Sequence, residues 1–337
     1  MKFIPLFKAG EVELYVPVES FISMFSSPYT PHIYGSAVDV SNSIKFGDEA
    51  PSLVKGVVEK VVEVQAPPGP FEERDCIISI TPNNQRRYRV KIMHIDPMVK
   101  PGDHVDVGDV IGRYIRTNFF VYHTLPHMHI EVCKDRTLRP SSAVKIEIQL
   151  HHALPGGIAT ANNRDPIVVD AVAMGEGFIL GREKHSAMGF ITTLPSSKCR
   201  VLINGEISPY SDYLGAINVG CQPYIGERLY IQQISAGFIG YTDKFYSLIL
   251  PSKTSFEEWV RLRARTPVAK RYTGFLEVSK VNIVARGCGE VVRVAGVEFL
   301  ISSIAQVRVI FDRMARFSCG SWVELMFLDG GGGSGAV

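Results

Sequence analysis

The sequence predicts a mostly β fold: an antiparallel β-sandwich, or a barrel-like sandwich, followed by a second β-rich (α+β) region. Two observations predict the first half. The runs "LVKGVVEKVVEVQ" (53–65), "CIISITP" (76–82), "RYRVKIMHI" (87–95), "VIGRYIRT" (110–117) and "HMHIEVC" (127–133) have strand composition, with no helical pattern between them. The separators "APPGP", "PNNQ" and "KPGDHVDVGD" carry turn chemistry, and short strands at such spacing belong to sandwiches and barrels. A third observation extends the class to the second half. "GFITTL", "RVLING", "ERLYIQQI" and "YSLILP" are again strand-like, with one helix expected over 255–266. A segment at 303–316, "SIAQVRVIFDRMAR", leaves helix or strand open because of its β-branched residues.

At 337 residues the chain is long enough for two domains with full cores. The expected division is an N-terminal extension (1–27), a first β domain (28–148), a second β-rich domain (149–329) and a Gly-rich linker or tag remnant (330–337). A net charge of +2 provides no overall field toward nucleic acid or an anionic membrane, so neither is expected as a partner. The densest basic stretch, "RLRARTPVAKR" (261–271), follows Ser255 and Glu258 at capping-box spacing, and reads as a solvated helix end.

The six cysteines form no CxxC pair and read as reduced, mostly buried thiols. No apolar run approaches membrane-spanning length, and "MKFIPLFKAGEVELYVP" is too interrupted for a signal peptide. A cytoplasmic location is therefore expected.

Chemistry concentrates in four segments. "PHMHIEV" places His127 and His129 two apart, so in a strand both imidazoles look to one face. "PHIYGSAVDVS" supplies His32 and Asp39, "KGVVEKVV" is a Gly-led strand, and "IMHIDPMVKPGDHVDVGDVIG" supplies His94 and a Gly-Asp turn pair. An HxH alone is weak; its coincidence with the upstream "HID…KPGD…GD" run and the downstream Pro140 carries the signal.

In this order the segments resemble the M23 (LytM/lysostaphin-like) zinc metallopeptidases over roughly residues 28–145, and the first domain is expected to take that family's β-sandwich. The resemblance implies that His32, Asp39 and His129 ligate Zn²⁺. It implies that His127 is general base for a water and that His94 orients or stabilises the developing oxyanion. Three N/O ligands and one open position are what catalytic zinc uses. The sequence departs from the family at Gly35, which stands where the first His usually lies; the upstream His here is His32, seven residues before Asp39. A loop hinged at Gly35 would bring it back.

Other histidines read as bystanders. His104 is expected to face solvent, His123 to line the rim, and His151 and His152 fall at the domain boundary without a partner motif. Cys133 shares the parity of His127 and His129 and is expected to pack.

Two functions fit these residues. One is a zinc-dependent metalloendopeptidase that hydrolyses amide bonds of a peptide or protein substrate. The alternative is a non-catalytic M23-like binding or scaffold protein, which uses the groove or the second domain for partner recognition or oligomer formation. A biotinyl or lipoyl carrier is set aside because "NNQRRYRVK" offers no modifiable Lys at a hairpin tip.

Overall fold

Alternation along "RVKIM", "MHIEVC" and "AVDVS" sorts the two faces of one sheet in the first half of the protein. The structure, a computed structural model, describes residues 1–27, 29–150, 167–175, 177–183, 188–208, 213–250, 255–265, 281–287, 290–311 and 322–329. Two units emerge: Met1–Gly157 with Ile301–Ile304, and Ile158–Leu300 with Ala305–Val337.

The strands of the first unit are β1 (Phe3–Ala9), β2 (Val12–Pro17), β3 (Phe21–Ser23), β4 (Ala37–Ser41), β5 (Glu49–Pro51), β6 (Gly56–Gln65), β7 (Arg74–Pro82), β8 (Arg89–Met93), β9 (Ile95–Pro97), β10 (His104–Val105), β11 (Val110–Tyr114), β12 (Met128–Cys133) and β13 (Ile146–Ile148). One short helix, α1 (Thr30–Ile33), precedes β4. A seven-stranded sheet runs in the order β10-β6-β7-β8-β12-β4-β3, antiparallel throughout. Two three-stranded sheets, β5-β11-β9 and β13-β1-β2, complete the unit. Residues 1–27, expected as an extension, contribute β1, β2 and β3, and β3 extends the large sheet beside β4.

Register explains where the site sits. On one face of the large sheet, Met128, Ile130 and Val132 of β12 stand beside Val40 and Val38 of β4 and Ile92 and Val90 of β8, all fully buried. Each such side chain contributes about 1.5–3 kcal/mol on burial, and a slip of one residue would turn the whole set outward. The opposite face is thereby committed to His129 and Glu131, in register with Asp39 and Ala37 on one side and with Met93 and Lys91 on the other. The run expected at 87–95 is interrupted at His94, which takes φ 70 between β8 and β9.

The second unit is a thirteen-stranded antiparallel sheet that runs from Arg228–Ile231 at one end to Glu290–Arg293 at the other. Its core gathers Val201, Ile203, Leu214, Ile249, Phe299, Val307 and Val323. The expected helix is α2 (Phe256–Arg265), where the Glu258 amide donates to Ser255 Oγ at 3.2 Å. The ambiguous segment at 303–316 contains a strand, Val307–Ile310. Its last residues, together with His151, His152, Cys288, Cys319, the end of the basic stretch and the tail 330–337, lie outside the described residues.

One expectation is corrected. Cys199 and Cys221 form a disulfide, with Cα atoms 5.6 Å apart, whereas Cys76 and Cys133 are the buried free thiols that were expected. Proximity in the tertiary fold, which no CxxC spacing announces, pairs them. Among the described residues no helix is long and apolar enough to cross a membrane.

Gly56, at the head of β6, shows how tightly the large sheet is closed. A Cβ there would meet Thr81 O at 2.3 Å and Ile80 Cγ2 at 2.7 Å. Gly56→Ala is expected to lower stability by about 1–3 kcal/mol through forced strand displacement. Thermal melts in which the variant matches the parent would contradict that packing.

Candidate metal centre

His129 and Asp39 are brought together by strand pairing, but His32 arrives by a local device. Pro31 opens the single helical turn of α1, where its ring pre-sets the backbone. The Gly35 amide then donates to His32 O and the Ser36 amide to Pro31 O, and Gly35 takes φ 63, a left-handed conformation that costs glycine little. This reversal takes up the six residues between His32 and Asp39 and aims the imidazole back over β4. The hinge expected at Gly35 is the one observed.

The three side chains form a compact triangle. His32 Nε2 and His129 Nδ1 lie 3.0 Å apart, and Asp39 Oδ1 is 3.3 Å from the first and 3.1 Å from the second. Tetrahedral zinc with bonds of about 2.05 Å would separate its ligands by roughly 3.3 Å, so the triangle has the dimensions of one tetrahedral face.

The outer nitrogens are engaged elsewhere. His32 Nδ1 donates to Met24 O at 2.7 Å, and His129 Nε2 donates to Glu131 Oε1 at 3.1 Å. Each ring therefore turns a lone pair toward Asp39 Oδ1 when neutral, and three converging lone pairs require a cation among them. The donor set fits a divalent metal. No exposure in this triad exceeds 9 %, so water competes weakly.

Electrostatics agree. Burial alone would lower His129, but hydrogen bonds to the Asp39 and Glu131 carboxylates prevail and raise it to about 9. In the metal-free chain a proton thus supplies the positive charge. Burial would raise Asp39, yet the His32 and His127 charges, with hydrogen bonds from His129 and His32, hold it well below the usual carboxylate range. Glu131, which burial would also raise, is pulled to about 2 by His129 and Lys91, whose Nζ lies 2.7 Å from Glu131 Oε1.

Two further imidazoles adjoin the triangle. His127 Nε2 lies 3.6 Å from Asp39 Oδ2, while its Nδ1 donates to Leu125 O at 2.9 Å. Burial lowers His127 to about 4, and the Asp39 charge only partly opposes this. The His94 ring lies 5.3 Å from that of His127 and 5.9 Å from that of His129, and Phe120 packs 4.7 Å from both His94 and His127. All five residues singled out from the sequence thus share one site.

Sequence reasoning missed Glu131, Lys91, Asp75, Thr117 and Phe120. Glu131 shares the strand parity of His127 and His129, a signal that was there to use. Asp75 and Lys91 carried no such mark, because only strand pairing sets them near the centre. His104 is exposed as expected; His123, expected at the rim, is 1 % exposed and packs against Tyr122. Cys133 packs as expected, and burial pushes its thiol up to about 11.

Residues 13–148 match a family described as "Domain of unknown function (DUF8155) N-terminal domain". No curated protein matches the chain. Among solved structures, the solution NMR structure of lysostaphin is similar at 17% identity and a TM-score of 0.25, covering 66% of this chain and 85% of that one. So faint a likeness assigns no chemistry, and the metal centre rests on its side-chain geometry.

Metal uptake must displace the proton of His129. Affinity for Zn²⁺ is expected to rise about tenfold per pH unit up to about 9 and then level, because the proton competes only below the metal-free pKa. Competition titrations with a chelator at several pH values measure this; a flat profile between pH 6 and 8, on the order of no change where a hundredfold is expected, would exclude His129 as a ligand. Glu131→Gln, which weakens the hold on His129 Nε2, is expected to lower affinity about 10–100-fold in the same assay.

Proposed function

We propose that the protein is a zinc-dependent hydrolase of peptide amide bonds, with His32, Asp39 and His129 as metal ligands and a peptide or protein as substrate. The observation that carries the proposal is the inward convergence of His32 Nε2, His129 Nδ1 and Asp39 Oδ1, with each ring's other nitrogen already bonded outside. The resemblance of residues 28–145 to the M23 peptidases supports it through the same five residues.

Bound there, zinc supplies a Lewis acid that lowers the pKa of a coordinated water to about 7. The chain's own residues do the rest. His127, neutral near pH 7 and with Nδ1 donating to Leu125 O, offers its Nε2 lone pair beside Asp39 as proton acceptor. His94, on the adjoining side, stabilises the oxygen on which negative charge develops. Phe120 packs against both rings and excludes bulk water. A partner-binding groove needs no such set: burying four imidazoles and a carboxylate costs about 1–3 kcal/mol for each group left unpaired. The Cys199–Cys221 disulfide favours an oxidising compartment over the cytoplasm expected from the N-terminal sequence and the lack of a long apolar run.

Metal analysis of the purified protein is expected to give about one zinc per chain, and His129→Ala or His32→Ala to abolish it. His127→Ala is expected to keep the metal and to lose about 10²–10⁴-fold in the hydrolysis of a responsive peptide from a chelator-controlled panel. Zinc content unchanged in His32→Ala would refute the ligand set, and hydrolysis that survives the chelator would refute the metal mechanism.

A further inference from the structure

Asp75 is the one fully buried acid beside the site whose role strand pairing and the metal leave unexplained. It lies on β7, with no exposure, and each carboxylate oxygen takes a separate task. Oδ1 accepts the backbone amides of Cys76 at 2.7 Å and His94 at 3.0 Å. Oδ2 accepts His94 Nδ1 at 2.5 Å and the Thr117 hydroxyl at 3.2 Å. The first oxygen holds the backbone where the chain turns from β8 to β9, at the residue with φ 70, a conformation that a non-glycine residue keeps only when its surroundings enforce it. The second oxygen faces only the ring and one hydroxyl.

We infer that Asp75 is a positioning residue for His94: it keeps the proton on Nδ1 and leaves Nε2 as the one ring nitrogen free to meet the substrate. This rests on the hydrolytic reading above. Physically, a carboxylate oxygen can only accept, so the nitrogen it faces must carry hydrogen in both the neutral and the charged ring. A carboxylate also favours the charged ring more than a carbonyl does. His127, by contrast, has only the Leu125 carbonyl behind it. The two imidazoles that flank the metal centre are thereby made unequal: one is backed by a carboxylate and the other by a backbone carbonyl.

The arrangement offers a discriminating substitution. In Asp75→Asn the amide oxygen must stay where Oδ1 was, because the two backbone amides there can only donate. The amide nitrogen then replaces Oδ2 and faces His94 Nδ1 with a donor, while the Thr117 hydroxyl rotates to accept. Turn geometry is preserved and the ring tautomer is inverted.

The test follows the ring nitrogens of isotope-labelled histidine by NMR in the full chain loaded with zinc, with His94 assigned from a His94→Gln spectrum. The parent is expected to show His94 protonated at Nδ1, and Asp75→Asn to show the proton moved to Nε2, with zinc content unchanged. A parent spectrum with Nδ1 bare, or an identical tautomer in both proteins, overturns the assignment. Should Asp75→Asn fail to fold, the parent spectrum alone decides. Failure of the parent to take up zinc overturns the metal centre, whereas an unchanged tautomer in a zinc-bound protein overturns Asp75 alone.

Discussion

Everything at the candidate site depends on the register of β4 against β12. Val38 and Val40 must bury against Ile130 and Met128, and that requirement leaves Asp39 directly beside His129 on the other face. No polar interaction in the site could set this alignment by itself, because the apolar face commits far more free energy than a single hydrogen bond of about 0.5–1.5 kcal/mol. The site is a by-product of core packing, placed on the side of the sheet that the core does not use. β8 extends the same logic, since its pairing with β12 seats Lys91 against Glu131 and so neutralises the acid that holds the His129 ring.

The polar face is ordered in two shells with different chemistry. The inner atoms, His32 Nε2, His129 Nδ1 and Asp39 Oδ1, attract one positive charge, and a proton or a metal satisfies that demand. The outer partners decide which nitrogen of each ring faces inward. Backbone carbonyls of Met24 and Leu125 serve His32 and His127, and the carboxylates of Glu131 and Asp75 serve His129 and His94. A carbonyl selects a tautomer, whereas a carboxylate selects a tautomer and also stabilises charge. Four chemically identical side chains acquire distinct properties in this way.

Much of the site was legible because Asp39 and His129 lie in strands with a period of two, and the other residues in short motifs that adjoin them. His127 and His129 could be placed on one face from spacing alone, and Gly35 could be recognised as a hinge because glycine tolerates a positive φ. Asp75 stayed invisible: nothing in "RDCIISI" distinguishes a buried carboxylate from a strand-end acid in water. The Cys199–Cys221 pair was equally hidden, since 22 residues of chain separate two cysteines that a fold must bring to bonding distance. Residues 1–27 show a third limit, because a strand at the edge of a sheet carries no mark of which sheet it will join.

The amino-acid order alone determined the mostly β class, the strands that carry the site, and five of the side chains that meet there, because alternation and turn chemistry act over a few residues. Only the tertiary structure decided which nitrogen of each imidazole faces inward, which buried acids stand behind them, and how the first and third strands share their sheets. Those outcomes depend on partners distant in the chain, such as Asp75 with His94 and His32 with His129, whose proximity is set by packing and by no local pattern.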